Sequence, residues 1–384
     1  MDAANLFSQL AEWENGHQTA DILPDGFDEK MAQTPQDPAW HGEGDVWTHT
    51  CMVCEALVNL DEYRKMDTDS RRILLLAALL HDIGKIRATR MENNRLISPG
   101  HARLSAQLAR EILWRDYGLC GTQWKQQLRE AVCQLVQYHS LPPHAIDQPD
   151  GKLRLMRAAS NGKLVRGMTV RMLCTLAKAD ILGRICPDRD ELLGQVELCR
   201  ELALEAECLD EPYPFPTDHT AFTFLNGQNS VADYPAYDSN WGEVVLMSGL
   251  PGTGKDTWIG QHLSEMPVVS LDRIRAERKI SPSDDQGRVV QLAIEEAKQF
   301  LRSKTPFVWN ATNLSPMIRS RLVGLVTGYG GRVRIVYLET EWEEQLCRNR
   351  QRQESVPEKA IIHMLKTIAP PQAFEAHQVD WFTV

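Results

Sequence analysis

The chain has 384 residues, 43% apolar and 24% charged, which is enough for two or three domains that each bury a core. Its net charge of −10 argues against a groove-binding nucleic-acid protein, which needs dense Lys and Arg along the phosphates. No apolar run reaches bilayer length (Ile73 to Leu80 suits a buried helix), and the polar start Met1 to Leu10 lacks a secretory pattern, so a cytoplasmic protein without membrane contact is expected.

Residues 1 to about 45 alternate polar and Pro-containing stretches with short helical pieces. Apolar spacing then predicts helices over Val46–Tyr63, Arg71–Ile83, Ala102–Tyr117, Trp124–Tyr138, Val170–Arg184 and Asp188–Cys208. Cys51 and Cys54 form a CxxC inside the first of these. With no second pair to complete a metal site they are expected to be buried thiols, and nine unpaired cysteines suit a reducing compartment. Glu211 to Trp241, rich in Pro, Tyr, Asn, Asp and Gly, predicts a linker or an irregular segment packed between domains. From Val244 short β-like runs alternate with helices, the pattern of a parallel α/β sheet. The charge also changes there: 18 Lys+Arg face 17 Asp+Glu from Trp241 onward, leaving 24 against 35 upstream. The expected fold is multidomain, with an all-α helical domain over residues 1–210, a linker or inter-domain segment over 211–241, and an α/β P-loop domain over 242–384.

Seven of the eleven histidines precede residue 145. His49 lies on the first long helix, His81-Asp82 ends the apolar helix ILLLAALL, His101 opens the next, His139 closes AVCQLVQYH, and Asp180 lies in TLAKADILGR. Imidazoles and carboxylates converging from several helices suit borderline divalent metals, with Asp able to bridge two of them. Two such ions can activate a water and neutralise a phosphate together. Lys85, three residues after Asp82, and Arg184, four after Asp180, can each share a helix face with its carboxylate, as phosphate clamps or as plain salt bridges. The ordered set, with its HDIGK core and the GHARLSAQLA stretch, resembles the HD phosphohydrolase superfamily over roughly residues 40–190. That resemblance implies that His49, His81, Asp82, His101, His139 and Asp180 bind two divalent metals, manganese or another transition metal, and hydrolyse phosphomonoesters or phosphodiesters. His41 and His144 are expected at the pocket rim.

In the second half, the predicted strand Val244–Ser248 runs into GLPGTGKDT and an apolar helix. Gly249, Gly252 and Gly254 would let the backbone wrap the phosphates of ATP at a helix N-terminus, with Lys255 on the β/γ-phosphates. Asp256 stands where Ser or Thr usually follows the lysine, so Thr257 is an alternative for the phosphate or Mg²⁺ contact. VVSLDRIRAER predicts a strand ending in Asp272, with Arg275 three residues on. There a carboxylate could take the proton of an attacking hydroxyl, or serve only as a helix cap beside a surface Arg. The third strand, Pro306–Asn310, lacks the acidic pair of a motor ATPase. CRNRQR groups Arg348, Arg350 and Arg352 either as a lid over the transferring phosphate or as an exposed basic helix face, with Arg350 the one most suited to the surface.

LPGTGKDT, LDRIR, ATNLSP, RNRQR and VPEKAIIHML together resemble the 5′-hydroxyl polynucleotide kinase family across residues 244–384. The resemblance implies Asp272 as general base, Arg275 on the acceptor's phosphate, Thr312-Asn313 near the acceptor, and Arg348 and Arg352 on the ATP phosphates. An HD domain followed by such a kinase resembles the bacterial HD-Pnk family of RNA end-healing enzymes. This implies removal of a 2′-phosphate or opening of a 2′,3′-cyclic phosphate, phosphorylation of 5′-OH ends of RNA or DNA, and an RNA ligase as functional partner. On the residues alone two other readings stay open: a nucleotide phosphohydrolase fused to a small-molecule kinase, and a regulatory ATP-binding HD sensor.

Overall fold

Two aspartates start the helices that carry the first histidines. Asp45 accepts the Thr48 N–H at 2.8 Å and caps α1, Val46–Asn59; Asp67 accepts the N–H groups of Asp69 and Ser70 and caps α2, Thr68–Leu80. The computed structural model describes residues 3–15, 22–24, 26–280, 286–352 and 354–384. Both helices end earlier than their apolar spacing predicts. Leu60 turns to extended backbone (φ −71°, ψ 129°), and only a single turn, Asp61–Arg64, follows it. His81 and Asp82 likewise sit in the turn after α2. All eight residues from Ile73 to Leu80 are buried, as expected for a helix that is apolar all round.

The predicted helix to Tyr117 is divided. α3, His101–Glu111, gives way to one π-helical turn, Ile112–Asp116. α4 spans Gln123–Tyr138 and α5, which apolar spacing did not predict, Gly151–Ser160. α6, Val170–Leu182, packs on both α1 and α2, and α7 spans Arg189–Glu205. A hairpin of Arg90–Glu92 and Arg95–Ile97, also unpredicted, turns through Asn93 and Asn94 at φ 50° and 60°, values that asparagine tolerates well. Gly84 in HDIGK is a spatial requirement: a Cβ there would lie 2.4 Å from Ser105 N and 2.6 Å from His101 O. Its N–H donates to Ser105 Oγ at 2.8 Å, so the His81-Asp82 turn is held directly against α3.

The chain divides into two compact units at Pro214/Phe215, with Gly121–Gln123 grouped with the second. The stretch expected as linker contains a helix, α8, Asp218–Leu225, capped by Thr217 Oγ1 on Thr220 N. Phe222 on its inner face joins a core with Val244 and Leu246.

In the second unit five parallel strands, β1 (Glu243–Ser248), β2 (Val268–Ser270), β3 (Val308–Asn310), β4 (Arg332–Glu339) and β5 (Gln378–Thr383), stand in the order β2-β3-β1-β4-β5. Alternate residues of β1 enter opposite layers. Val244 and Leu246 pack with Ile335 and the helix residues Ala293 and Val326, while Val245 and Met247 pack with Trp258 and Val336. Helices α9 (Lys255–His262), α10 (Leu271–Arg278), α11 (Gln286–Arg302), α12 (Pro316–Gly328), α13 (Trp342–Arg350) and α14 (Glu358–Thr367) follow. Strand order reverses at β1, so the loop after it opens at the carboxyl edge, where ligands of such sheets bind. Among the described residues no helix is long and apolar enough to cross a membrane.

Candidate functional site

Three histidines of the helical unit are aimed by the same local device. His81, His101 and His139 each donate Nδ1–H to a carbonyl three residues upstream: Ala78 O at 2.7 Å, Ser98 O at 2.9 Å and Val136 O at 2.7 Å. This assigns the tautomer and leaves each Nε2 with its lone pair turned inward. His49 lies instead between two carboxylates, with Nδ1 2.9 Å from Glu43 Oε1 and Nε2 3.0 Å from Asp180 Oδ1; burial opposes its charge, yet the two carboxylates raise its pKa above the ordinary value.

The inward atoms form two adjoining trios, His49/His81/Asp180 and Asp82/His101/His139, each with its ligand atoms within 4.8 Å of one another. Ring nitrogens crowd one another inside the cluster. His81 Nε2 lies 3.3 Å from His49 Nε2, His101 Nε2 3.4 Å from His139 Nε2, and Asp82 Oδ1 is buried with no hydrogen-bond partner. Lone pairs in such contact repel unless a cation sits among them. Burial, helped by His81 and His101, pushes His139 down to about 3, which keeps it neutral as a metal ligand must be. Burial works against ionised aspartates, yet Lys85 and His81 hold Asp82 well below the usual carboxylate range, and Arg184 and His49 do the same for Asp180. The residues therefore fit divalent cations, with Asp82 2.7 Å from Lys85 Nζ and 3.4 Å from His101 on its other side.

All six residues expected as ligands come together here. Lys85 is buried against Asp82 and donates to Gln36 Oε1 at 2.6 Å, and Arg184 grips Asp180 through Nε and an NH2 group. Only His101 and Arg184, with side chains 24% and 23% exposed, open the cluster to solvent. His41 is a loop residue, as expected, but is buried on Glu43 at 2.8 Å; His144 is exposed in a short 3-10 turn, Pro142–His144. Cys54 is a buried free thiol and Cys51 a half-buried one, and burial raises both.

Glu43 went unnoticed in the sequence because it lies in a loop outside every helical period. It also accepts the Ile185 N–H at 2.9 Å, tying the loop before α1 to the chain after α6. A carboxylate behind a ligating histidine sets its orientation and basicity. Glu43→Ala is therefore expected to weaken binding of a divalent ion by roughly 10–100-fold, read by calorimetric titration of the metal.

In the second unit Gly249, Gly252 and Gly254 adopt φ 144°, 86° and 81°. Side chains at the first two are also blocked: a Cβ would meet Leu338 O at 2.5 Å and Gln345 O at 2.7 Å. The loop closes on α9, whose first residue, Lys255, donates to the Gly249 and Leu250 carbonyls at 2.9 and 2.8 Å. These two bonds hold its amine at the loop mouth. Burial pushes this amine down to about 8. Asp256 accepts from Asn310 Nδ2 at 2.6 Å, while Thr257 is exposed on the next position.

Asp272 does not end the strand as expected: β2 stops at Ser270, whose hydroxyl caps α10 by accepting the Arg273 N–H, and Asp272 is an acid of that helix's first turn. It pairs with Arg275 at 2.5 Å and Arg352 at 2.9 Å, so the general-base candidate and two of the expected cations meet. Arg348 binds Glu344 of its own helix through Nε, with Nη1 3.6 Å from where a Cβ of Gly254 would stand. Arg350 is exposed. Asn313 is buried in a left-handed turn (φ 45°) and its amide donates to Met247 O at 2.7 Å, so its side chain braces β1, while Thr312 O accepts the Gly249 N–H of the phosphate loop at 3.0 Å.

Residues 46–185 match the family model described as HD domain, and residues 244–371 the one described as AAA domain. Two solved structures are similar to part of the chain. One is a kinase candidate from Chloroflexus aurantiacus j-10-fl, 16% identical, covering 38% of this chain and 86% of that one, with a TM-score of 0.30. The other is a gluconokinase from Sinorhizobium meliloti 1021, 17% identical, covering 38% and 84%, with a TM-score of 0.28. The fold and the two constellations define a fusion of a metal-site helical domain with a P-loop domain. The chain carries a helical domain that matches the HD model, followed by an α/β P-loop domain with a five-stranded parallel sheet.

Proposed function

We propose that the chain is a bifunctional healer of RNA ends: the HD domain removes a 2′-phosphate or opens a 2′,3′-cyclic phosphate, and the kinase domain phosphorylates a 5′-OH end with ATP. The observation that carries the first half is the set of inward lone pairs with two buried aspartates. Two divalent ions, manganese or another transition metal, would supply there an activated water and charge neutralisation for the phosphate. The protein's own part is to keep His139 neutral, to aim His81, His101 and His139 through their carbonyl bonds, and to present Lys85 and Arg184 beside the carboxylates, where they can turn to non-bridging oxygens.

For the kinase half, Lys255 would exchange its two carbonyl partners for the β/γ-phosphates of ATP, and Arg348 and Arg352 would cover the γ-phosphate. Asp272 would accept the proton of the acceptor hydroxyl as its oxygen bonds to the γ-phosphorus and ADP leaves, while Arg275 would hold the acceptor's own phosphate. The Asp272 side chain is 63% exposed. A kinase for a small metabolite encloses its acceptor, whereas an open base suits the end of a polymer. An end-binding enzyme also tolerates the net charge of −10 that a groove binder could not. Products of both reactions are the ends that an RNA ligase joins, which makes a ligase the proposed functional partner.

The direct test is product analysis on an RNA bearing a 5′-OH and a 2′,3′-cyclic phosphate, incubated with ATP and Mn²⁺. A 5′-phosphate and a 2′,3′-diol are the expected ends. Phosphorylation of mononucleosides in preference to the RNA would replace this reading with a small-molecule kinase.

A further inference from the structure

The residue after the phosphate-loop lysine breaks the usual rule in a way that the third strand answers. In P-loop enzymes the metal of the nucleotide is held by a loop Ser/Thr hydroxyl and by an aspartate of the second nucleotide motif. Here the loop position is Asp256, a carboxylate, and the third strand ends in Asn310, a neutral amide. The two touch, Asn310 Nδ2 donating to Asp256 Oδ1 at 2.6 Å. Asn310 is buried and fixed in the sheet, since β3 lies next to β1 with Leu246 opposite Trp309; Asp256 is exposed at the loop mouth.

We propose, resting on the kinase reading above, that Asp256 is the protein ligand of the divalent ion that accompanies ATP, with Asn310 as its positioning residue. Charge and neutral group have exchanged places between loop and strand, so the pair still brings one negative charge to the metal. A hard cation such as Mg²⁺ is suited by one carboxylate together with phosphate oxygens. The bond to Asn310 occupies Oδ1 and sets the carboxylate plane, leaving Oδ2 for the ion. The arrangement has a second consequence: without metal the Asp256 charge opposes the ATP phosphates, so nucleotide binding depends steeply on the ion.

The test is calorimetric titration of the full chain with ATP, in magnesium and in EDTA. Parent protein is expected to bind ATP roughly tenfold or more tighter with magnesium, the scale of a partly screened charge contact. Asp256→Asn is expected to lose that gain while binding ATP in EDTA at least as well as the parent. Asp256→Ser should lose it too, and adding Asn310→Asp to Asp256→Ser should restore it. Full retention of the magnesium gain in Asp256→Asn would overturn the assignment, and failure of the double exchange to restore it would overturn the role of Asn310. Absence of any ATP binding by the parent would instead remove the kinase reading itself.

Discussion

Asp82→Asn is expected to lower phosphate release by at least about 100-fold, since even residues behind a metal ligand commonly change activity by 10–100-fold. ATP-dependent phosphorylation should persist. The expectation rests on where the carboxylate stands. One oxygen lies 2.7 Å from Lys85 and 3.3 Å from His81, and the other 3.4 Å from His101, so Asp82 faces both trios at once. The asparagine keeps the shape and removes the charge that would bridge two cations. It also leaves the Lys85 ammonium buried without its counter-ion, at a cost of about 3 kcal/mol to the metal-free fold. Melting curves with and without Mn²⁺ separate the two effects. Parent protein should gain stability from the ion and the variant should not. Full phosphate release by a variant that still gains the parent's stabilisation would remove Asp82 from the site.

Lys255→Ala should reverse the pattern, losing about 10²–10³ in phosphoryl transfer while phosphate release continues. The parent should also show a pH signature. Burial lowers the lysine from 10.5 to about 8, so the amine is charged below pH 8 and loses its proton as pH rises through that value. Only the charged form attracts phosphates, so ATP affinity should be steady up to about pH 7 and fall as pH passes 8, by at most about tenfold per unit. Lys255→Arg should flatten that fall, because a guanidinium stays charged. An affinity that climbs between pH 7 and 9 would be incompatible with Lys255 as the phosphate contact.

Much of this molecule was open to reading before any coordinates, and the reason differs by region. The P-loop is local: glycines, lysine and helix start lie within nine residues, and their conformations follow from one turn. The helical positions of His49 and Asp180 followed from apolar periodicity, because the helices that carry them are buried, while His139 stands one residue past the end of α4. What periodicity missed was set by neighbours or by single residues. α5 is only ten residues long and was passed over, the π turn at Ile112–Asp116 lies inside a longer apolar run, α1 stopped at Leu60 where the backbone turns extended, and the stretch marked as linker held α8, whose Phe222 enters a core. Periodicity also gave no sign that the Asn313 amide completes the hydrogen bonding of Met247 O.

By itself the sequence determined which residue types could carry chemistry, and in which order along the chain: imidazoles and acids first, the phosphate loop second. Tertiary structure alone decided that Asp180 meets His49 across 131 positions, that Glu43 stands behind that histidine, that Asn310 holds Asp256, and that Arg352 reaches Asp272. The physical reason is one of range. Propensity and periodicity report forces within a few turns of chain, whereas the charge of a buried carboxylate is settled by whichever groups the packed core brings within about 4 Å.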